Sequence, residues 1–398
     1  MFRRASETNP NEPAIWHNLG KVSFEALRVD EAETYFRRAL KLKPDYSLSL
    51  DGLGMIGLNR CDYDMARVYC KRALEQNKEC IESKVNLGMC NLAHRNWKDG
   101  WVGYNTNVGI DGNRTTRTYN KETPWKGEKG KIVVVRGEQG IGDEISFASC
   151  LPDLIRDSSK VVLDCDGRLK RLFKRSFPEV EVHGNRYQTD DQDWHKSADF
   201  DHGVLLGQLP EFYRNKDEDF PGTPYLTPNP EVQVQWRALF DSLGPEPKVG
   251  ISWVGGSHKT GRHRRSVTLE SLVPLLKLPC HWISLQYQDP SDEIRAVEDK
   301  FGVKVHHWPH GVQIFDYDIT TALIAELDLV ISVTTTAIHA AAGLGKECWC
   351  LVSEKPMWRY GVKGDDFPWG SSVKLFRQKS GQWPIQVLAT ALKEWMSK

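Results

Sequence analysis

Small and apolar positions recur at an interval of 34 residues through the first quarter of the chain. Leu19, Leu53 and Leu87 keep that spacing, as do Gly20, Gly54 and Gly88. Ala32, Ala66 and Gly100 continue it, together with Ala5, Ala39 and Ala73, and Phe2, Phe36, Cys70 and Tyr104. A period of this length predicts stacked helical hairpins, each leaving an apolar face that only its neighbour can cover. Gly20 and Ala32 let the two helices of a hairpin approach closely, while Leu19 and Phe36 fill the gap between hairpins. Phe2, Ala5 and Pro10 fall in register with the second half of a repeat, so about three full repeats follow a partial one. The third degrades at Asn107, as suits a unit that docks onto something else.

From Lys131 the pattern changes to short apolar runs alternating with helical stretches, which predicts parallel sheets. In the first series, strands are expected at Lys131–Val135, Lys160–Cys165, Val180–Val182 and Phe200–Leu205, with a helix from Glu144 to Leu154. A helix over Glu231–Ser242 then leads to Gly244-Pro245-Glu246-Pro247, a candidate hinge. The second series reads as strands at Val249–Val254, His281–Gln286, Val303–His306, Leu329–Val333 and Cys348–Val352. Helices alternate with them at Leu269–Leu276, Ser291–Lys300, Ile319–Glu326 and Thr335–Leu344. Two such sheets create a cleft at their carboxyl edges, where ligands of open α/β sheets bind. The expected units are 1–120, 121–243 and 244–398.

Composition narrows the function. The 398 residues carry 53 basic and 53 acidic side chains. Residues 1–120 hold 18 Lys/Arg against 15 Asp/Glu, and the rest hold 35 against 38. Neither part is a strongly basic body, so nucleic acid is not an expected partner. No apolar run is long enough to span a bilayer, and Met1-Phe2-Arg3-Arg4 leads into a polar stretch rather than a signal core. The nine cysteines form no CxxC pair and no zinc-type spacing. Reduced thiols in a cytoplasmic protein are expected, and the acceptor pattern Asn113-Arg114-Thr115 carries no weight without a secretory route.

Four constellations carry candidate chemistry. Gly137-Glu138-Gln139-Gly140-Ile141-Gly142-Asp143 follows the first strand; it is neither the GxGxxG of dinucleotide sites nor a P-loop. Asp143 at the start of a helix is either a cap for backbone N–H groups or a general base facing the cleft. Next, the Gly-rich loop after Ser252-Trp253 leads into His258, Lys259, Arg262, His263, Arg264 and Arg265, which either wrap a diphosphate or form a solvated basic loop. Third, Thr334-Thr335-Thr336-Ala337 and His339 lie at a strand-to-helix junction, where free N–H groups suit an anion. The alternative there is ordinary threonine capping with His339 satisfied in the core. Finally, Ser284-Leu285-Gln286 ends a strand and offers hydrogen bonds to a base or ribose. Trp253, Trp308, Trp358 and Trp369 either stack on a ligand or pack internally.

Residues 13–44, through Trp16, Leu19, Gly20, Ala32, Phe36, Ala39 and Pro44, resemble the tetratricopeptide repeat, whose concave surface binds proteins or self-associates. The ordered set Pro124-Trp125-Lys126-Gly127, Gly137–Asp143, Gly250-Ile251-Ser252-Trp253-Val254-Gly255, Ser284–Gln286, Ala325–Val333, His339–Gly345 and Leu375–Gln378 adds a second likeness. With the repeats, it resembles proteins whose C-terminal part is like the heptosyltransferase-like family 9 of glycosyltransferases. That resemblance implies an α-solenoid followed by an α/β GT-B architecture, with two Rossmann-like domains. The first would serve the acceptor and the second a nucleotide-sugar donor. The last helix, about Pro384–Met396, would cross back to the first. Asp143 then matches the catalytic base, with Gln139, Gly140, Gly142 and Trp253 lining the acceptor cleft. The junction Thr334, Thr335, Thr336 and Ala337 before His339 matches the donor-diphosphate site and Arg265 a basic residue of the second domain, while Lys259, Arg262 and Gln286 are expected on the same donor side from the loop and strand-end readings above. No metal and no cofactor beyond the donor substrate is implied. The acceptor is a saccharide, a lipid-linked glycan or a protein. This chain has Thr334-Thr335 where the family has Asp-Thr, and that aspartate holds donor-sugar hydroxyls, so donor identity stays open. The rival reading is a non-catalytic repeat scaffold with a degenerate nucleotide-binding domain.

Overall fold

The computed structural model describes residues 9–109, 114, 123–184, 194–196, 199–256, 261–313 and 315–397. The chain forms two compact units. One takes in Met1–Thr115 with two later stretches, Arg214–Asp217 and Lys355–Lys363; the other takes in Thr116–Tyr213, Glu218–Glu354 and Gly364–Lys398.

Among the described residues the first unit shows three antiparallel helical hairpins: α1 (Pro13–Glu25) with α2 (Val29–Leu42), α3 (Ser47–Asn59) with α4 (Tyr63–Gln76), and α5 (Ile81–Ala93) with α6 (Trp97–Tyr104). The 34-residue register has a direct steric meaning. A methyl group on Gly20 would lie 2.6 Å from the Phe36 ring, one on Gly54 2.5 Å from Cys70 Sγ, and one on Gly88 would strike the Tyr104 backbone. Each glycine therefore faces the residue 16 positions on, in all three hairpins. Phe36 also lies against Gly52 of the next hairpin, so its ring fills the space between repeats as the pattern predicts. Of the partial first repeat, Phe2 and Ala5 lie outside the described residues.

The degraded third repeat acquires its covering from the two later stretches. Trp101 is fully buried and donates through Nε1 to the Arg214 carbonyl at 2.6 Å. Trp97 Nε1 donates to Asp217 Oδ1, Tyr63 Oη to the Pro356 carbonyl, and the Val362 amide to the Ala93 carbonyl. The Trp358 ring packs edge-on against Trp101 and beside Tyr104. Trp358 is thus part of the repeat unit's core, where a ligand-stacking role was a possibility.

The second unit holds two parallel sheets. The first contains β1 (Thr123–Pro124), β2 (Ile132–Arg136), β3 (Lys160–Asp164), β4 (Glu181–His183) and β5 (His202–Leu205), in the order β1-β5-β2-β3-β4. Its helices are α7 (Ile141–Ala148), α8 (Leu151–Asp157), α9 (Lys170–Ser176) and α10 (Leu209–Tyr213). The single helix expected over Glu144–Leu154 is two, because Pro152 sits in the first turn of α8 and cannot continue a preceding helix. After α11 (Pro230–Asp241) comes the second sheet: β6 (Lys248–Ser252), β7 (His281–Ser284), β8 (Val305–His306), β9 (Leu329–Val333), β10 (Cys348–Val352) and β11 (Val373–Arg377). Its order is β11-β10-β9-β6-β7-β8. Interleaved are α12 (Val273–Leu276), α13 (Ser291–Phe301), α14 (Tyr317–Glu326) and α15 (Thr336–Leu344), with α16 (Ile385–Met396) at the end.

β9 and β10 are buried along their whole length and β2 from Val133 onward, as apolar runs covered on both faces should be. The two layers are joined by a bidentate pair in which Arg175 Nη1 and Nη2 each donate to Asp318 at 2.7 Å, with the Asp318 side chain almost inaccessible. Helix α16 closes the described chain against the second sheet. Ile385, Leu388, Ala389 and Leu392 on its apolar face lie in the core of the second sheet, and it packs against α12.

Candidate functional site

Strand order dictates which chain segments can meet. β9 and β6 are neighbours, with Ser252 opposite Ser332, and β7 lies on the other side of β6. The turns that follow these three strands are therefore adjacent at one carboxyl edge. They carry Thr334–Ala337, the Gly255-Gly256 loop and Gln286.

The Gly-rich loop is held by its own neighbours. Gly255 N–H donates to Ser266 Oγ, and Ser266 Oγ–H donates to the Arg262 carbonyl. Gly256 has φ of 77°, and a methyl group there would collide with the Arg265 guanidinium. Glycine is thus required by both backbone and space. Arg265 Nε donates to the Gly255 carbonyl, which folds this cation inward over the loop. A methyl group on Gly255 would lie 3.0 Å from the Thr334 carbonyl, so the loop and the threonine junction are in contact. Arg262 and Arg264 form a short 3-10 turn beside it. Lys259 lies outside the described residues.

At the junction Thr335 is the N-cap of α15, but its hydroxyl is paired with Ser332 Oγ at 3.0 Å and makes no cap bond. The first turn of α15 therefore presents its positive dipole end next to the loop. Thr334 and Ala337 are buried and Thr336 half-buried.

The glycine turn after β2 approaches the same helix. Gln139, not a glycine, takes the left-handed conformation there (φ 63°), an arrangement that costs about 1–3 kcal/mol and occurs often at functional sites. Gly140 caps α7, and Asp143 Oδ2 accepts the Gly140 N–H at 2.9 Å. The capping reading of Asp143 is thus realised through Oδ2. Gly142 lies against α15: an added methyl would sit 3.0 Å from His339 Cδ2 and 3.5 Å from Thr336 Oγ1. His339, largely buried, has Nδ1 2.7 Å from Ser146 Oγ. Asp143 and the threonine junction are therefore assembled in one place from opposite sheets.

Two expected ligand contacts have structural duties. Trp253 is fully buried in the second core, with Nε1 donating to Glu293 Oε2 at 2.8 Å, so it does not line a cleft. Gln286 Oε1 accepts from Ser252 Oγ, the Trp253 N–H and the Val254 N–H, so it braces the start of the Gly-rich loop. Trp308 packs among Trp236, Phe240 and His306, and Trp369 against Phe147 and Phe220.

Ser146, Glu144, Ser266 and Tyr225 are parts of the site that sequence reasoning missed. Tyr225 donates from its hydroxyl to the Ile145 carbonyl, and its own N–H donates to the Gly343 carbonyl, tying α7 to α15. A signal existed for Glu144: it falls with Ile141, Ile145 and Ala148 on the face of α7 that should be apolar. Near it, burial and the adjoining Glu144, Asp164 and Asp166 hold the Cys165 thiol far above its ordinary pKa, hence neutral.

Residues 13–46 match the tetratricopeptide repeat family. Protein FlbA of Caulobacter vibrioides is 29% identical over 318 residues, covering 75% of this chain and 52% of that protein. The chain thus spans about half the length of the curated relative it matches. Among solved structures, a family 9 glycosyl transferase from Veillonella parvula aligns with a TM-score of 0.48 at 10% identity, covering 69% of this chain and 91% of its own. The E. coli ADP-heptose lipopolysaccharide heptosyltransferase II aligns at 0.45 and 12%, covering 67% and 98%. Among the described residues no helix is long and apolar enough to cross a membrane.

Proposed function

We propose that the chain is an inverting, metal-independent glycosyltransferase that moves a sugar from a nucleotide-sugar to a saccharide or protein acceptor. The observation that carries this reading is the seating of Gly142 against Thr336 and His339, which brings an acid and an anion-attracting helix start together. Asp143 removes the proton of an acceptor hydroxyl, whose oxygen attacks the anomeric carbon from the face opposite the diphosphate. The bond from that carbon to the diphosphate oxygen breaks, and the leaving group departs with the electron pair. Its charge is met by the first-turn N–H groups of α15 and by Arg262, Arg264 and Arg265. The repeat unit holds the acceptor or a protein partner.

A thermal-shift series with nucleoside diphosphates and their sugars tests the donor half of this reading. A native state that binds one nucleotide family is stabilised by it through linkage, by about 2.7 kcal/mol at a hundredfold excess over Kd. Absence of any response would favour the second reading, a non-catalytic repeat scaffold. Thr334, in place of the acid expected to hold donor hydroxyls, is the feature that favours that rival. Turnover unaffected by EDTA is expected, and its abolition would remove the metal-independent assignment.

A further inference from the structure

The carboxylate next to the candidate base is the most deeply buried acid of the glycine-turn region. Glu144 has no accessible surface. Its Oε2 accepts the Asp166 N–H at 2.9 Å. The carboxyl group also lies flat over Gly137: a methyl added there would be 2.7 Å from its carbon and from both oxygens. Gly137 N–H in turn donates to the Asp164 carbonyl at 2.7 Å. One side chain therefore touches both the turn leaving β2 and the turn leaving β3, at adjacent carboxyl ends of the first sheet. Arg168 secures the second turn by donating from Nε and Nη2 to the two oxygens of Asp166, while its backbone N–H donates to Oδ1.

Burying a carboxylate is costly unless hydrogen bonds compensate, so apolar filling would be the cheaper choice at this position. A Leu or Ile here could not accept the Asp166 N–H, and that donor would be left without this acceptor. We infer that Glu144 is a positioning residue: it sets the path of the Gly137–Gly142 turn and thereby the place of Asp143, the residue just before it in the helix. It acts through Asp143 and touches no substrate. The inference rests on the proposed transfer reaction for its kinetic consequence, and on the geometry alone for its structural one.

The experiment compares E144A, E144Q and G137A in the full chain by hydrogen–deuterium exchange and by transfer kinetics. Gln keeps an acceptor for the Asp166 N–H, whereas Ala removes it. G137A instead disturbs the contact from the side of the turn, with no change to the carboxylate. In E144A, exchange should quicken at least tenfold (an order-of-magnitude figure) over 137–143 and at Asp166, with the β9–β10 region unchanged. The value of kcat should fall by about 100-fold, as for a misplaced catalytic group, while KM for the donor stays within about threefold. E144Q should recover most of kcat, and G137A should reproduce the exchange signature even if E144A does not fold. Wild-type exchange over 137–143 in both E144A and G137A would overturn the inference. So would E144Q failing in kcat with normal exchange, since the carboxylate charge would then be acting directly. If the wild-type chain transfers no sugar from any donor, the functional reading fails, and the exchange comparison still decides the role of Glu144.

Discussion

Ser146 and His339 are 193 residues apart in sequence and joined by a 2.7 Å hydrogen bond between Oγ and Nδ1. One lies on the helix that carries Asp143, the other on the helix that begins at the threonine junction. Both groups are buried, so breaking the bond leaves a polar atom without its partner. His339→Phe and Ser146→Ala should each lower stability by about 1–3 kcal/mol. A double-mutant cycle by urea denaturation should show coupling of about 1 kcal/mol. Purely additive effects would mean that the two side chains are neighbours without a functional bond.

Asp143→Asn should leave nucleotide binding intact, because the amide oxygen can still accept the Gly140 N–H. Transfer should fall by about 100- to 10,000-fold with the loss of general-base catalysis. Calorimetric binding of the nucleotide beside initial-rate assays separates the two effects. Undiminished turnover removes the base assignment.

Phe36 fills the space between Gly20 and Gly52, so Phe36→Ala should cost the repeat unit about 3–5 kcal/mol. Gly20→Ala should cost about 1–3 kcal/mol by overpacking against the same ring. The pair should be less damaging than the sum, because the added methyl enters the space that the lost ring vacates. Chemical denaturation followed by circular dichroism reads all three variants, and strict additivity would contradict the close approach.

Asp51 gives the repeat unit a defined pH dependence. Burial raises its carboxyl above the ordinary value, against the lowering effect of Ser83, whose hydroxyl donates to Oδ1 at 2.6 Å; nearby Glu82 raises it further and Asn86 lowers it. The folded state thus holds the proton more tightly than the unfolded chain, whose Asp titrates near 3.9. The stabilisation is complete below that value and is lost as pH rises through the folded pKa. Asp51→Asn should therefore gain stability relative to the parent as pH rises from about 4 towards neutrality. Unfolding midpoints measured across that range check the sign, and a relative loss would reverse the argument.

Much of this could be read from the chain because it depends on local pattern. β9 and β10 occupy the expected residues, since a wholly apolar run between polar ends admits few alternatives. The 34-residue spacing was equally explicit, because identical contacts recur at Gly20, Gly54 and Gly88. Helix α9 and strand β11 were missed. β11 is interrupted by an exposed charge at Lys374 and ends on half-buried Arg377, while α9 is a short, strongly basic stretch. At the site, the three junctions were legible but the duties of Trp253 and Gln286 were not. Those duties depend on partners such as Glu293, 40 residues away, that no local pattern announces. Period alone also cannot tell whether a residue at the end of a strand points to solvent or into the core.

The repeat unit is discontinuous in the chain: its last helices are covered by residues 214–217 and 355–363. A ribosome that has released the first hundred or so residues has made helices α1–α6 but not their lid. Trp97, Trp101 and Tyr104 must wait for more than 250 further residues before Trp358 arrives. Completion of the solenoid is therefore a late event in synthesis. A fragment ending near residue 120 would carry bare tryptophans, and with them a tendency to associate that the whole chain conceals.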